Sequence, residues 1–140
     1  MRAIGERLLA AAVDAKAYGL AAAHIGEVAP VIVVTAAENP EPTDYGLLFN
    51  PRIVAVAETT EKGEEGSVSL PGARVEIARP VWADIAFMDA QGVPRTRRFG
   101  GFAARVVLHE IEQMQGVFFL DRLSRLRRDM ALKRARKFTN

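Results

Sequence analysis

A histidine, a glutamate and a glutamine share one face of a predicted helix, where they could hold a metal ion or move a proton. His109 and Gln113 are four residues apart, so both point the same way on an α-helix, with Glu110 beside them. In the His-Glu-x-x-His motif of metal-dependent hydrolases, the two histidines bind the ion and the glutamate is general base for its bound water. Gln113 stands where that motif has its second histidine.

The segments that must position this helix are predicted to be helices at the two ends of the chain and mostly strands between them. An Ala- and Leu-rich helix is predicted over residues 2–17, stopped by Gly19, and a loop rich in proline over 37–44. Residues 58–66 are polar and contain glycine. The predicted strands are 31–35, 46–49, 53–57 (after Asn50-Pro51), a strand from Ser67 leading into a turn at Pro71-Gly72, 75–77, 81–88 and 93–99, the last two joined by a hairpin turn at 89–92.

The helical period returns from Gly100 to Gly116, and a basic helix is predicted over 124–138. These elements predict a single α+β domain covering residues 1–140. From Asp121 to Asn140 there are eight basic and two acidic residues, so this segment carries +6 of a net charge of +2, leaving −4 for the first 120 residues. The basic character therefore belongs to the C-terminal helix.

Composition removes several kinds of chemistry. The chain has no cysteine, which excludes disulfides, thiolate ligands and cysteine nucleophiles. No apolar run approaches the length of a transmembrane helix, and the N-terminus lacks a secretory pattern. We therefore expect a cytoplasmic protein that does not act on membranes.

Two further motifs precede the helix. Gly19-Leu20-Ala21-Ala22-Ala23-His24 follows the first helix, and Glu65-Gly66-Ser67-Val68-Ser69 lies in the strand region. With His109-Glu110-Ile111-Glu112-Gln113, their order and spacing resemble the peptide deformylases, whose motifs read G-x-G-L-A-A-x-Q, E-G-C-L-S and H-E-x-D-H. The likeness covers nearly the whole chain.

The resemblance implies a fold of mixed, mostly antiparallel sheets around a central motif-bearing helix. It also implies a hydrolase that removes the formyl group from the N-terminal formyl-Met of nascent polypeptides. The family uses a divalent metal, naturally Fe²⁺, with Zn²⁺ or Ni²⁺ as substitutes. The metal-ligand positions fall on Ser67, His109 and Gln113, of which only His109 keeps the family's residue.

The remaining family roles also map onto this sequence. Glu110 takes the place of the general base, while His24 and the backbone N–H of Val68 take the places of the oxyanion donors. Peptide is expected to bind as an added strand near Tyr18, Gly19 and Gly66, with Arg74 close to its backbone. A buried ion pair between Glu65 and Arg79 is expected to hold the second motif.

The replaced ligands predict weak or lost deformylase activity, because a neutral hydroxyl and an amide oxygen bind metals far less well than thiolate and imidazole. One alternative is a rebuilt metal site made of His24, His109 and Glu110. Another is that His24 hydrogen-bonds Gln113 or Glu110 and fills the space of the ion. At Ser67, a small strand residue with a satisfied hydroxyl is the simpler interpretation.

A non-catalytic protein that binds nascent N-termini, formylated or free, or the ribosome is the alternative function. Family members dock at the ribosome with a C-terminal helix, so the basic helix at 124–138 predicts contact with RNA phosphates. Family members also carry about 25 or more residues before the first helix. One edge of the core is therefore expected to be open or covered by a partner chain, unless the start codon is misassigned.

Overall fold

The described part of the chain contains three α-helices and seven strands. The structure is a computed structural model that describes residues 2–35, 45–67, 70–116 and 124–139, with the side chains of all of these except 67, 70–73, 138 and 139. In chain order the elements are α1 Arg2–Ala15, β1 Gly19–Ala21, a 3₁₀ turn Ala22–Ile25, β2 Val31–Thr35, β3 Tyr45–Val56, β4 Thr60–Ser67, β5 Leu70–Pro80, β6 Trp82–Met88, β7 Pro94–Gly100, α2 Gly101–Met114 and α3 Arg125–Thr139.

The strands form two antiparallel sheets. The larger sheet has the order β1-β2-β3-β6-β7, and the smaller one pairs β4 with β5. Helix α2 packs against the larger sheet on a core that includes Ile32, Ile85 and Ile111. Helix α1 covers the other side of β2, where Leu8 and Val33 are fully buried. All five residues of β2 are buried because helices cover both of its faces.

The predicted α+β class and central motif-bearing helix are confirmed, as are strand 31–35, the hairpin turn at 89–92 and the C-terminal helix. At the hairpin, Asp89 N–H donates to the Val93 carbonyl at 3.0 Å, and Gly92 has φ 78°. The proline-rich loop at 37–44 lies outside the described residues. None of the three α-helices in the described residues combines the length and the hydrophobicity of a membrane-spanning helix.

Three predicted boundaries are wrong. Helix α1 ends at Ala15 rather than residue 17, because Lys16 takes a left-handed conformation with φ 53°. The two strands expected around Asn50 form one strand, β3, since Asn50 tolerates φ 51° and bulges absorb the irregular register. The turn expected at Pro71-Gly72 is part of β5, which begins at Leu70.

The polar segment at 58–66 also supplies a strand. Residues Thr60–Ser67 form β4, which pairs along β5 from Thr60 opposite Pro80 to Glu65 opposite Val75. Most of its side chains are exposed, but Glu65 is 6% exposed and points inward. Hydrophobic alternation therefore could not reveal this strand, since its inward side is charged.

Candidate active site

Helix α2 brings the third motif into the core. His109 and Glu110 are each 6% exposed, and Gln113 is partly buried one turn further along. Strand β1 lies directly against this helix: a Cβ at Gly19 would be 2.8 Å from Val106 Cγ1 and 2.9 Å from Glu110 Cγ. Only a glycine allows this approach, so the first motif's glycine sets the distance between β1 and the buried glutamate.

The second motif reaches the same helix through its glutamate. The Nδ1 atom of His109 lies 3.0 Å from Glu65 Oε1. Burial alone would raise the pKa of Glu65, but hydrogen bonds from Arg79 and His109 outweigh it and lower that pKa to about 2. An ionised carboxylate only accepts, so Nδ1 of His109 carries the proton in this hydrogen bond.

The expected ion pair between Glu65 and Arg79 is confirmed. Arg79 is 1% exposed and donates from Nε and Nη2 to the two oxygens of Glu65 at 2.8 and 2.9 Å. Its Nη1 lies 2.9 Å from Glu112 Oε2. One arginine thus joins strand β5 to the second motif and to helix α2, and each of its three nitrogens meets a carboxylate.

Arg105 is a further member of this cluster that the sequence analysis missed. Its Nη1 donates to Glu65 Oε2 at 2.8 Å and to the Ile77 carbonyl at 2.7 Å, and its Nη2 donates to the Glu61 carbonyl at 2.7 Å. A Cβ at Gly63 would be 2.7 Å from Arg105 Cζ. The available signal was a single arginine one turn before His109 in an otherwise apolar stretch of helix.

Glu110 and Gln113 differ from this cluster. Glu110 Oε1 and Gln113 Oε1 are buried and have no hydrogen-bond partner within the described part of the chain. Burial raises the pKa of Glu110 to about 7, against a smaller opposing effect of His109. A carboxyl group with this pKa exchanges a proton near neutral pH, as a general base must.

His24 is half-buried in the 3₁₀ turn and hydrogen-bonds the backbone of Ala21, three residues earlier. Its Nδ1 lies 3.0 Å from both the N and the O of Ala21. Burial lowers the pKa of His24, the Ala21 hydrogen bond opposes that shift, and the charge of His109 adds to it. Its described bonds are therefore to Ala21, whereas Glu110 Oε1 and Gln113 Oε1, the oxygens it was expected to satisfy, are unpartnered.

Of the three residues at the family's metal-ligand positions, only His109 keeps the family's residue. His109 offers an imidazole and Gln113 a neutral amide oxygen, and the chain has no cysteine to supply a thiolate. Ser67 ends β4, and its side chain lies outside the described set, as does all of Val68. Among the described residues no group of three His, Cys, Asp or Glu side chains could hold an ion. His24, His109 and Glu110 do not form such a group in this structure, and a metal site rebuilt from them stays a prediction.

The positions expected to contact peptide lie on, or just before, strands β1, β4 and β5. Among the described strands β1 is one of the two edges of the larger sheet and pairs only with β2. Tyr18, just before β1, is 37% exposed and packs edge-on against Phe102 with ring centroids 4.8 Å apart. Gly66 is exposed in β4, where the pairing with β5 shifts register. Arg74 is exposed on β5 and lines a groove beside α3, rather than joining the cluster around Glu65.

Comparison with known proteins agrees with this architecture. A peptide deformylase of Brucella suis is 35% identical over 127 residues, 91% of this chain and 73% of the relative. The crystal structure of peptide deformylase from Ehrlichia chaffeensis matches with a TM-score of 0.88 at 26% identity, over 99% of this chain and 83% of that one.

A Met-Ala-Ser-bound peptide deformylase from Acinetobacter baumannii matches with a TM-score of 0.79 at 27% identity, over 86% of this chain and 79% of that one. The family model for polypeptide deformylase matches residues 1–129. This chain belongs to the polypeptide deformylase family.

Proposed function

We propose that this protein binds the N-terminal segment of a nascent polypeptide in the family's cleft and has little or no deformylase activity. The observation that carries the proposal is the contrast between an intact scaffold and an incomplete donor set. His109 is held by Glu65, while Gln113 offers only an unpartnered amide oxygen. Two changed ligands remove far more affinity than the roughly 10–100-fold that supporting residues alone contribute.

Peptide binding needs the main chain of β1 and β4 rather than the metal. A peptide that adds to the open edge of β1 would hydrogen-bond backbone groups near Gly19, with Tyr18 and Gly66 beside it. The Acinetobacter baumannii relative binds Met-Ala-Ser, and we extend that class of ligand to this chain. Such nascent chains begin in the cytoplasm, which is the location we propose.

His24 is suited to bind the formyl oxygen. If Nδ1 accepts the Ala21 N–H, the ring proton is on Nε2, which makes that nitrogen a hydrogen-bond donor. The burial that lowers its pKa keeps the ring neutral at pH 7, so the tautomer is preserved. We assign His24 Nε2 and the Val68 N–H to the formyl oxygen, and Glu110 to proton transfer in any residual hydrolysis.

The test measures formate release and peptide binding together. Wild-type protein is incubated with a formyl-Met-Ala-Ser peptide and added Fe²⁺, Ni²⁺ or Co²⁺, beside the ligand-restoring variant Ser67→Cys/Gln113→His. We expect binding without appreciable formate from the wild type, and formate release from the variant. Adding Glu110→Gln to the restored variant should abolish that release.

Two results would contradict this proposal. Turnover by the wild type comparable to ordinary deformylases would show that the changed ligands suffice. Failure of the wild type to bind formyl-Met or free-Met peptides would remove the binding function.

Ribosome contact is a second candidate, favoured by the exposed cations of α3. Ala131 and Ala135 are buried against the rest of the fold, so deleting the helix would expose core. Neutralising Lys133 and Lys137, which are exposed, tests the charge alone. We expect the Lys133→Gln/Lys137→Gln variant to cosediment less with ribosomes, and wild-type cosedimentation to weaken steeply with salt. Equal cosedimentation of the two would contradict this role.

A further inference from the structure

A charged groove of about 430 Å³ separates the β4–β5 sheet from α3. None of its lining residues is His24, His109 or Glu110. Its lining from α3 and the two strands includes three arginines, two glutamates and one methionine, namely Arg74, Arg127, Arg134, Glu64, Glu76 and Met130.

The arginines of this groove have capacity for an anionic ligand. Arg127 donates a long hydrogen bond of 3.5 Å to the Glu76 carbonyl. No ion pair joins Arg74, Arg127 or Arg134 to a carboxylate in the described residues. A guanidinium presents a rigid fork that matches a carboxylate in bidentate fashion, so three of them around one groove favour a ligand that carries carboxylates.

The two glutamates of the groove favour an acidic polypeptide over a phosphate backbone as its anionic ligand. Glu64 and Glu76 face each other across the β4–β5 ladder and also line the groove. A phosphate backbone brings one charge at every step and would meet both carboxylates, which repel it. A polypeptide can place an acidic side chain at the arginines and neutral backbone at the glutamates, and Met130 offers an apolar contact.

The groove lies close to Gly66, one of the positions proposed to contact peptide. Val75 lines the groove and is opposite Glu65 in the β4–β5 register, so the groove comes within one residue of Gly66, where the register shifts. A chain that leaves the edge near Gly66 would reach Arg74 and then the α3 arginines. We propose that this groove is a downstream subsite that selects polypeptides with an acidic side chain a few residues after the N-terminal methionine. The inference rests on the proposed peptide-binding function.

The test compares fluorescent peptides by anisotropy. Each begins formyl-Met-Ala-Ser and continues with alanines, and one glutamate is moved through the successive later positions. We expect glutamate at one or two positions to tighten binding about five- to tenfold over the all-alanine peptide, in line with a few charge-assisted hydrogen bonds. The preference should shrink as salt rises.

Matched variants assign the effect to the groove. Arg127→Gln/Arg134→Gln should abolish the glutamate preference and leave binding of the all-alanine peptide unchanged. Lys133→Gln/Lys137→Gln removes the same charge from the same helix outside the groove lining, and should keep the preference.

Three results would overturn the subsite. Equal affinity for all peptides would leave the proposed function standing without it, while absence of binding by every peptide would remove both. An RNA oligonucleotide that binds the wild type, is lost in the arginine variant and competes with no acidic peptide would assign the arginines to nucleic acid.

Discussion

Two buried clusters on neighbouring residues of α2 are satisfied to very different degrees. Around Glu65, donors from Arg79, Arg105 and His109 meet carboxylate oxygens at 2.8–3.0 Å. At Glu110 and Gln113, two buried oxygens have no partner in the described residues. Buried polar groups are almost always paired. The cluster around Glu65, which would orient the site, is thus hydrogen-bonded. The buried oxygens of Glu110 and Gln113, where a ligand would act, are not, among the residues that the structure describes.

The same contrast appears in the two carboxyl groups. Glu65 has its pKa held near 2, so its ionisation stabilises the fold above pH 4.5 and that contribution is lost as pH falls towards 2. Glu110 has its pKa raised to about 7, so its ionisation opposes folding. Its penalty is absent below pH 4.5, grows as pH rises to 7, and is constant above. Ionisation of Glu65 therefore stabilises the folded state, whereas ionisation of Glu110 destabilises it.

The largest expected effect comes from breaking the satisfied cluster. Arg79→Met leaves Glu65 and Glu112 with a buried charge and fewer donors, which should lower the free energy of unfolding by about 3–5 kcal/mol. Denaturant unfolding monitored by circular dichroism measures the change. Arg98→Met, which removes the exposed pair with Asp84, is the matched control and should change stability little. Equal losses of stability in the two variants would show that the buried cluster around Arg79 stabilises the fold no more than an exposed ion pair does.

Neutralising the buried carboxyl group of Glu110 should instead raise the free energy of unfolding. Glu110→Gln removes a charge whose burial penalty corresponds to a pKa raised from 4.5 to about 7. At pH 8 the variant should therefore unfold with a free energy about 3 kcal/mol higher than wild type. At pH 5 the gain should shrink to under about 1 kcal/mol, because the folded carboxyl is already neutral there. A gain in the free energy of unfolding that did not depend on pH would show that burial does not raise the pKa of Glu110.

A smaller effect should follow from forcing β1 away from α2. Gly19→Ala places a methyl group 2.8 Å from Val106 Cγ1 and 2.9 Å from Glu110 Cγ, and overpacking of this kind costs about 1–3 kcal/mol. Thermal unfolding at fixed pH measures it. Gly46→Ala is the control, since its methyl group meets only Leu48 Cδ1 at 3.9 Å. An unchanged midpoint in Gly19→Ala would mean that the contact between strand and helix is loose.

Much of this arrangement could be predicted from local patterns. The run Val31–Thr35 and the period from Gly100 to Gly116 gave β2 and α2, because apolar spacing follows burial directly. Glu65 and Arg79 were paired through the motif and the resemblance. The network added by Arg105 was missed, since its partners include the carbonyls of Glu61 and Ile77, which are distant in sequence and invisible to side-chain patterns.

The errors have a common physical origin. Strand β4 was obscured because its inward residue is a glutamate whose burial depends on Arg79, a tertiary effect. The hydrogen-bond partner expected for His24 was Gln113 or Glu110, but its Nδ1 bonds the backbone of Ala21, three residues earlier. Short-range backbone bonds of this kind compete with distant partners, and residue types alone do not reveal which bond forms.

Metal content shows whether the pocket around His109 still binds the family's ion. The wild type and Ser67→Cys/Gln113→His are purified without chelator from the same iron- and nickel-supplemented cultures and analysed by inductively coupled plasma mass spectrometry, with His24→Ala alongside. We predict far less than one metal ion per chain in the wild type and in His24→Ala, and about one per chain in the restored variant. A wild type that carries one tightly held ion per chain would contradict the claim that this pocket no longer fits the family's metal.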